Sequence, residues 1–217
     1  MSIAICWQGQ LEKIVSKLTR TEGLRKRLKR AIFASAFLLV SPLILIAWIE
    51  KRFSRSESIF IGLGQFLALF PSMIGNYMRA AYYFALLDRC SWEIHVGFGS
   101  YFSHRAARLG ANVAMGGYCV IGTASIGDSV MMASRVSIPS GKRQHVDAAG
   151  RLCSTTTLDR VSVGRNSWIG EGAIILADVG SGCIVSAGTV VTAPTPDGYL
   201  IAGNPGKLIK ELRVESI

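Results

Sequence analysis

A histidine in a short polar stretch is well suited to chemistry near neutral pH. His145 lies within SGKRQHVD, residues 140–147. An imidazole that titrates near pH 6.5 can accept the proton of an alcohol as its oxygen attacks a carbonyl carbon. The stretch alone is equally compatible with an exposed loop histidine that has no chemical role.

The other candidate groups are scattered along the chain. Lys207 and Lys210, near the C-terminus, could bind phosphate groups or form a solvated basic tail. We expect His95 and His104 to have a packing or surface role. A zinc-dependent γ-type carbonic anhydrase would need three histidines around one ion, and the irregular spacing of these two and His145 argues against it. Five cysteines without a CxxC motif predict neither a disulfide framework nor a metal site.

The polar stretch interrupts a six-residue aliphatic repeat, which predicts how the site is positioned. The repeat comprises Val120, Ile126, Met132 and Ile138, then Val163, Ile169 and Ile175, then Val185 and Val191. This period is typical of a parallel β-helix, whereas a β-sandwich would alternate every second residue. We expect Gly127, Gly164 and Gly170 at the corners of the coils.

Composition divides the chain into residues 1–92, a basic and hydrophobic helical region, and residues 93–217, the β-helix. The second part is expected to contain a projecting loop at 139–160 and a short C-terminal helix. The fold class is therefore mainly β with an N-terminal α-helical, membrane-associated region.

The N-terminal region contains a candidate membrane segment. Ala31–Ile49 carries no charge over nineteen residues and has basic residues on both sides, which favours the cytoplasm for both ends. Ser41-Pro42 could break it into a re-entrant hairpin, which resembles the broken helix of monotopic phosphoglycosyl transferases, or it could kink a spanning helix. Ile59–Phe70 and Ala80–Leu87 could form a second dip or an interfacial helix.

The net charge of +10 is concentrated beside this segment. Lys13–Arg30 contains eight basic residues and one acidic residue, Glu22. A polybasic stretch next to a membrane helix gains about 1 kcal/mol per basic residue at an anionic surface. Membrane lipid is therefore the expected partner, and nucleic acid is not.

Four segments together resemble the hexapeptide-repeat acyltransferases, in particular the sugar and xenobiotic O-acetyltransferase group. They are SIPSGKRQH, RVSVGRNSWIGEGAIILADVG, VSAGTVVTAP and LIAGNPGKLIKEL, within about residues 94–213. The resemblance implies a homotrimer of left-handed β-helices, with active sites between subunits and acetyl-CoA along the coils. It also implies that His145 is the general base of a direct transfer, and that no metal takes part.

The resemblance also implies which residues bind acetyl-CoA. The acetyl-CoA contacts would come from Trp168, Gly170, Ala187, Thr192, Lys207 and Lys210. The acceptor would contact Arg143, Gln144 and Asp147 beside the base. Asp147, Asp159 and Glu171 are the candidates for orienting His145. The insert lacks the second histidine and the proline that often follow the base in soluble sugar acetyltransferases, so the acceptor cannot be copied from them.

These observations predict an acetyl-CoA-dependent O-acetyltransferase on the cytoplasmic face of a bacterial inner membrane. Its expected acceptor is a sugar of a lipid-linked or surface polysaccharide precursor. An N-acyltransferase acting on an amino sugar and a non-catalytic trimeric scaffold for glycan assembly remain the alternatives.

Overall fold

The computed structural model describes residues 2–142, 145, 151, 152 and 158–212, with residues 2–22 described by their backbone alone. The three expected acceptor contacts, Arg143, Gln144 and Asp147, all lie outside the described residues.

Three helices precede the β-helix. They are α1 (Ser2–Phe53), α2 (Ser58–Ala68) and α3 (Ser72–Leu86). The second apolar stretch is thus α2, and the aromatic run belongs to α3.

Sixteen short strands follow in the described part of the chain. They are β1 (Arg89–Cys90), β2 (His95–Val96), β3 (Tyr101–Phe102), β4 (Arg108–Leu109), β5 (Ala114–Met115), β6 (Val120–Ile121), β7 (Ala124–Ile126), β8 (Met131–Met132), β9 (Ser137–Ile138), β10 (Val161–Val163), β11 (Trp168–Ile169), β12 (Ile174–Ile175), β13 (Ile184–Val185), β14 (Val190–Val191), β15 (Tyr199–Ala202) and β16 (Lys207–Glu211).

The strands form three sheets, which are the three faces of a parallel β-helix. Face A contains β1, β4, β7 and β10, and face C contains β3, β6, β9, β12 and β14. Face B contains β2, β5, β8, β11, β13, β15 and β16, and its first six strands mark six successive coils. The prediction of a parallel β-helix with an N-terminal helical region is confirmed.

Stacked aliphatic side chains form the core of the coils. On face B, the parallel register aligns Val96, Met115, Met132, Ile169, Val185 and Ile201, and all six are buried. The predicted repeat is shifted by one residue at Val120, which is only partly buried. Ile121 is fully buried there and stacks on Ile138. The β-helix also begins earlier than predicted, at Arg89.

The three expected corner glycines are required for a different reason. Gly127, Gly164 and Gly170 do not have positive φ angles, and instead the next coil passes very close to them. A Cβ atom would lie 2.7 Å from the Arg165 nitrogen at Gly127 and 2.5 Å from the Ala187 nitrogen at Gly170. Close approach of two backbones, rather than a left-handed turn, therefore requires glycine at these positions.

Helices α2 and α3 cover the open end of the first coil. The ring of Tyr83 on α3 lies 4.6 Å from that of Phe102 on β3, and Phe60 on α2 packs against Tyr82 and Tyr83. Arg79 on α3 is 1% exposed and donates a hydrogen bond of 2.9 Å to the Val96 carbonyl. The helical region thus closes the apolar core that a terminal coil would otherwise expose.

Helix α1 is continuous through Pro42, so the re-entrant hairpin considered above does not form. Proline lacks the N–H that would bond to the carbonyl of Leu38, four residues earlier. The Ser41 hydroxyl donates to this carbonyl at 2.8 Å and replaces the lost bond. Among the described residues, Gly23–Phe53 is the one helical stretch long and apolar enough to cross a membrane.

The expected short C-terminal helix is also wrong for the residues described. Lys207–Glu211 forms β16, which pairs antiparallel with β15. The chain reverses over Gly203–Gly206, so this last strand extends face B instead of starting a helix.

Candidate active site

The segment between β9 and β10, where the loop is expected, begins between face C and face A at a root that is closed by hydrogen bonds. It leaves after β9 and returns at β10, one coil further along the axis. The Asp159 N–H donates to the Ser140 carbonyl at 3.1 Å, and the Ser140 hydroxyl accepts from the Thr123 N–H at 2.8 Å. Gly141 has a φ of 84° and leaves no room for a side chain beside Asp159. The loop therefore starts from a fixed point of the coil.

His145 is exposed on this loop. Of its three candidate orienting residues, Asp159 lies at the root and Asp147 lies outside the described residues. Glu171 forms an ion pair with Arg135 at 2.6 Å, at the corner between faces B and C. The loop is instead rooted at the corner between faces C and A. Asp159 is thus the described candidate nearest to the loop in the fold.

A cavity of about 430 Å³ opens at the loop root. Lys142, Asp159, Arg160 and Asp178 supply charges of both signs, and Leu176 and Pro194 supply an apolar part. Charged groups of both signs beside a small apolar surface suit a polar organic ligand.

Gly170 and Ala187 occupy the same corner, between faces B and C, in successive coils. Ala187 is exposed, and Gly170 is buried beneath the next coil. The small side chain of Ala187 leaves the backbone accessible at this corner, whereas Gly170 is covered by the next coil.

Trp168 and Lys210 belong to one outer row of face B. Register places Trp168 beside Ile184, Ile184 beside Leu200, and Leu200 opposite Lys210. Three strand spacings of about 4.8 Å, about 14 Å in total, separate the backbone at Trp168 from the backbone at Lys210 along the axis. Trp168 is 44% exposed. The row thus offers an aromatic surface at one end and a cation at the other, and Lys207 lies on the same strand as Lys210.

The expected site residues are divided between separate parts of this chain. Trp168, Gly170, Ala187, Lys207 and Lys210 lie on face B or at its corner with face C. Thr192 follows β14 and lies near the corner between faces C and A, where the loop is rooted. Face C separates the two groups.

The other two histidines have different surroundings. His95 is on the outer side of face B in the first coil, and His104 bonds through Nδ1 to the Glu57 carboxylate at 2.8 Å. Within the described ranges, no group of three His, Cys, Asp or Glu side chains is placed to hold a metal ion.

Two features were missed from the sequence. One is the Arg135–Glu171 ion pair beside Gly170, whose partners are 36 residues apart and lie on either side of the loop. Aligning Ile138 with Ile175 across the loop would have placed these two residues in adjacent coils. The other is a buried ion pair between Glu50 on α1 and Arg105, which joins the helices to the coils.

No family model matches this chain. A Dictyostelium discoideum protein that is provisionally named an acetyltransferase is 35% identical over 168 residues, which cover 76% of each chain. A protein of Saccharomyces cerevisiae, also provisionally named an acetyltransferase, is 31% identical over 123 residues, covering 55% of this chain and 57% of the yeast protein. The chain thus spans little more than half the length of the yeast relative.

The β-helix also has counterparts among solved structures. A maltose O-acetyltransferase from Clostridium difficile 630 superposes with a TM-score of 0.60 at 24% identity, covering 71% of this chain and 85% of that one. At this level of identity the similarity establishes the fold.

Proposed function

Because the chain belongs to the hexapeptide-repeat acetyltransferases, we propose that it transfers an acetyl group from acetyl-CoA to a sugar hydroxyl at a membrane surface. The observation that carries this proposal is the loop that bears His145, which leaves a rigid coil at a bonded root. The similarity to a maltose O-acetyltransferase supports a sugar hydroxyl as the acceptor.

The reaction needs a base because a sugar hydroxyl is a weak nucleophile at neutral pH. His145 takes the hydroxyl proton while the oxygen attacks the thioester carbonyl, and a tetrahedral oxyanion forms. When the intermediate collapses, the carbon–sulfur bond breaks and the imidazolium returns its proton to the leaving CoA sulfur. No covalent enzyme intermediate is required. Backbone N–H groups of a coil would stabilise the oxyanion.

The outer row of face B is the proposed site for the donor. Lys207 and Lys210 would bind CoA phosphates, and Trp168 would pack against an apolar part of the molecule. Gly170 allows the two coils to approach closely at this corner, and the small side chain of Ala187 would allow the pantetheine chain to lie against it, with Thr192 near its reactive end. Arg143, Gln144 and Asp147 remain the candidates for contacts with the acceptor.

The division of these residues between two corners supports a homotrimer. A second copy would bring the loop of one subunit to the outer row of face B on its neighbour, so that each site would contain residues of two chains. The trimer and the sharing of the site are proposals.

The apolar surface of α1 supports membrane association, and we propose a lipid-linked acceptor at the cytoplasmic face of a bacterial inner membrane, in the synthesis of a surface polysaccharide. Leu38 and Leu39 are 74% and 64% exposed in a segment without charges. Confining the enzyme and its acceptor to one membrane raises their effective concentration.

The experiment measures CoA release from acetyl-CoA by detergent-purified protein, with free and lipid-linked sugars as acceptors. His145→Ala should reduce acceptor-dependent release by at least about 100-fold, the usual contribution of a general base. His95→Ala is the matched control, because this histidine lies on the first coil, and it should retain wild-type rates.

Three outcomes would change the proposal. Full activity of His145→Ala would remove the base. Release with amino sugars alone would indicate an N-acyltransferase. Absence of both release and acetyl-CoA binding would indicate a scaffold.

A further inference from the structure

The apolar segment of α1 is attached to the first coil at both of its ends. Near its start, the Phe33 ring lies 6.0 Å from the Trp92 ring, and the Arg30 guanidinium lies 5.6 Å from the same ring. Near its end, Arg105 donates a 2.9 Å hydrogen bond to the Ala47 carbonyl. Both Trp92 and Arg105 belong to the first coil and its exit corner.

Arg105 makes the second attachment strong. Its side chain is 6% exposed and contacts the Glu50 carboxylate at 2.6 Å, while its guanidinium lies 4.5 Å from the centre of the Phe60 ring. Glu50 in turn accepts the Ile59 and Phe60 N–H groups at 2.7 and 3.0 Å. Because a buried ion pair is costly to break, α1 cannot easily swing away from the coil at this end.

Between its two attachments, α1 packs along the helical cap. Fourteen residues separate Phe33 from Ala47, a distance of about 21 Å along a helix axis. A buried stripe of Ala36, Val40 and Ala47 faces the core. The segment therefore runs across the end of the β-helix instead of projecting away from it.

The opposite side of α1 is apolar and uncovered. It includes Leu38, Leu39, Leu45, Ile46 and Trp48, which are between 46% and 74% exposed. On the two shorter helices, further large apolar side chains are exposed: Phe66, Leu69, Met73 and Ile74. An open groove of about 340 Å³ between α1 and α3 has an almost wholly apolar lining. Such a surface is much more apolar than one that normally faces water.

A helix that crossed the bilayer would carry the first coil with it. The two attachment points would then lie at different depths, and the charged groups between and beside them would enter the hydrocarbon. Asp88, Arg89 and Arg108 are exposed charges on the first two coils. Burying them in lipid without water is strongly unfavourable. The attachments that fix α1 on the coil therefore oppose a spanning orientation.

We propose that α1 lies in the plane of the membrane, within one leaflet, with the outer side of α1 to α3 against the acyl chains. The basic residues on the two flanks, Arg25 to Arg30 and Lys51 to Arg55, then meet anionic headgroups on the same surface. The proposal rests on the membrane association that is part of the proposed function, and it is independent of the acetyl transfer.

The test compares the depths of three residues on the outer side of α1. Ile32, Leu39 and Ile46 are seven residues apart and are all exposed, so they lie on nearly the same side. Each is replaced singly by tryptophan, and the variants are bound to vesicles of anionic lipid that carry bromine at different depths of the acyl chain. The change in quenching relative to wild type gives the depth of each new indole.

An in-plane helix predicts the same depth for all three indoles, within one leaflet. A spanning helix predicts that the indole of Leu39→Trp is deepest, with those of Ile32→Trp and Ile46→Trp about 10 Å nearer the two surfaces. That gradient would overturn the proposal. Quenching that is absent for all three would do the same, and would indicate that another copy of the chain covers this surface.

A second measurement tests sidedness. Gly23→Cys and Arg55→Cys, each in a variant with the native cysteines replaced by alanine, are treated with a membrane-impermeant maleimide in sealed vesicles of known orientation. Labelling of both from the same side is expected, and labelling from opposite sides would overturn the proposal. Acetyl transfer by each variant in detergent is measured separately, so loss of activity cannot be mistaken for a wrong orientation.

Discussion

Arg79 donates three hydrogen bonds from a buried position at the junction between the helices and the first coil. Besides the Val96 carbonyl, it reaches the Leu67 carbonyl at 3.0 Å and the Phe70 carbonyl at 2.7 Å. Burial lowers the pKa of this guanidinium, although an arginine remains charged at neutral pH. Its donors thus hold the end of α2 and the strand β2 together.

Arg79→Leu should therefore destabilise the protein, because it leaves buried carbonyl groups without their donor. We expect the free energy of unfolding to fall by about 3 kcal/mol, from about 1–3 kcal/mol for each carbonyl that is left unsatisfied. Denaturant unfolding in detergent, followed by circular dichroism, measures the change. Arg89→Leu is the matched control, since Arg89 is exposed on β1, and it should change the value by less than about 0.5 kcal/mol. Equal stability of the two variants would contradict the assigned role of Arg79.

At the scale of elements, the segment between α1 and α2 is tied to the coils through Glu57. Its carboxylate accepts bonds from His104 at 2.8 Å and from the Arg105 N–H at 3.1 Å. Partial burial alone would raise the pKa of Glu57, but the bond from His104, the backbone bond and the nearby positive charges outweigh it and lower the pKa. The folded protein therefore favours the ionised form.

This shift predicts how acid affects the attachment of the helices. A carboxyl group whose pKa is lowered on folding stabilises the protein above its ordinary value, 4.5 for Glu57, and the stabilisation is lost as the pH falls through the lower folded value. The free energy of unfolding of wild type should thus fall more steeply below about pH 4.5 than that of Glu57→Gln. Denaturant titrations at pH 7 and about pH 4 compare them. Glu93→Gln, at an exposed position of the first coil, should keep the wild-type dependence, and an unchanged slope in Glu57→Gln would contradict the prediction.

The elements that the sequence predicts well are those with a local period. The six-residue repeat places Met132, Ile138 and Ile169 correctly because each coil buries one side chain at each such position. It fails at Val120, because only five positions, not six, separate the inward-facing Ile121 from the inward-facing Ile126. Spacing alone cannot detect this shorter corner, because Val120 and Ile121 are both aliphatic.

The remaining errors concern interactions between distant residues. Pro42 predicts a break, yet a hydroxyl one residue earlier supplies the missing bond and the helix continues. Lys207–Glu211 has no strong strand pattern, and it becomes a strand because the edge of β15 is available for pairing. Motif order places the expected site residues on the coils. The separation of the loop from the outer row of face B instead depends on the three-sided path of the chain.

At the scale of the whole molecule, this separation predicts that one chain alone is inactive. The loop root and the proposed donor surface on face B lie on opposite sides of face C, so we expect a site shared between neighbouring subunits to unite His145 with Ala187. Light scattering of the detergent-purified protein, corrected for bound detergent, should therefore give the mass of three chains.

Mixing two inactive variants tests the shared site directly. His145→Ala removes the base, and Ala187→Trp fills the exposed corner over which the donor is proposed to lie. Each homotrimer should be inactive, but a trimer that contains both chains has a boundary at which an intact loop meets an intact corner. Random exchange at equal amounts should restore about a quarter of the wild-type sites, since each boundary needs an intact loop from one subunit and an intact corner from its neighbour.

A chain carrying both substitutions, mixed with either single variant, is the control and should restore none. If the two single variants remain inactive after exchange of subunits is verified by native mass spectrometry, then the base and the donor surface act within one chain.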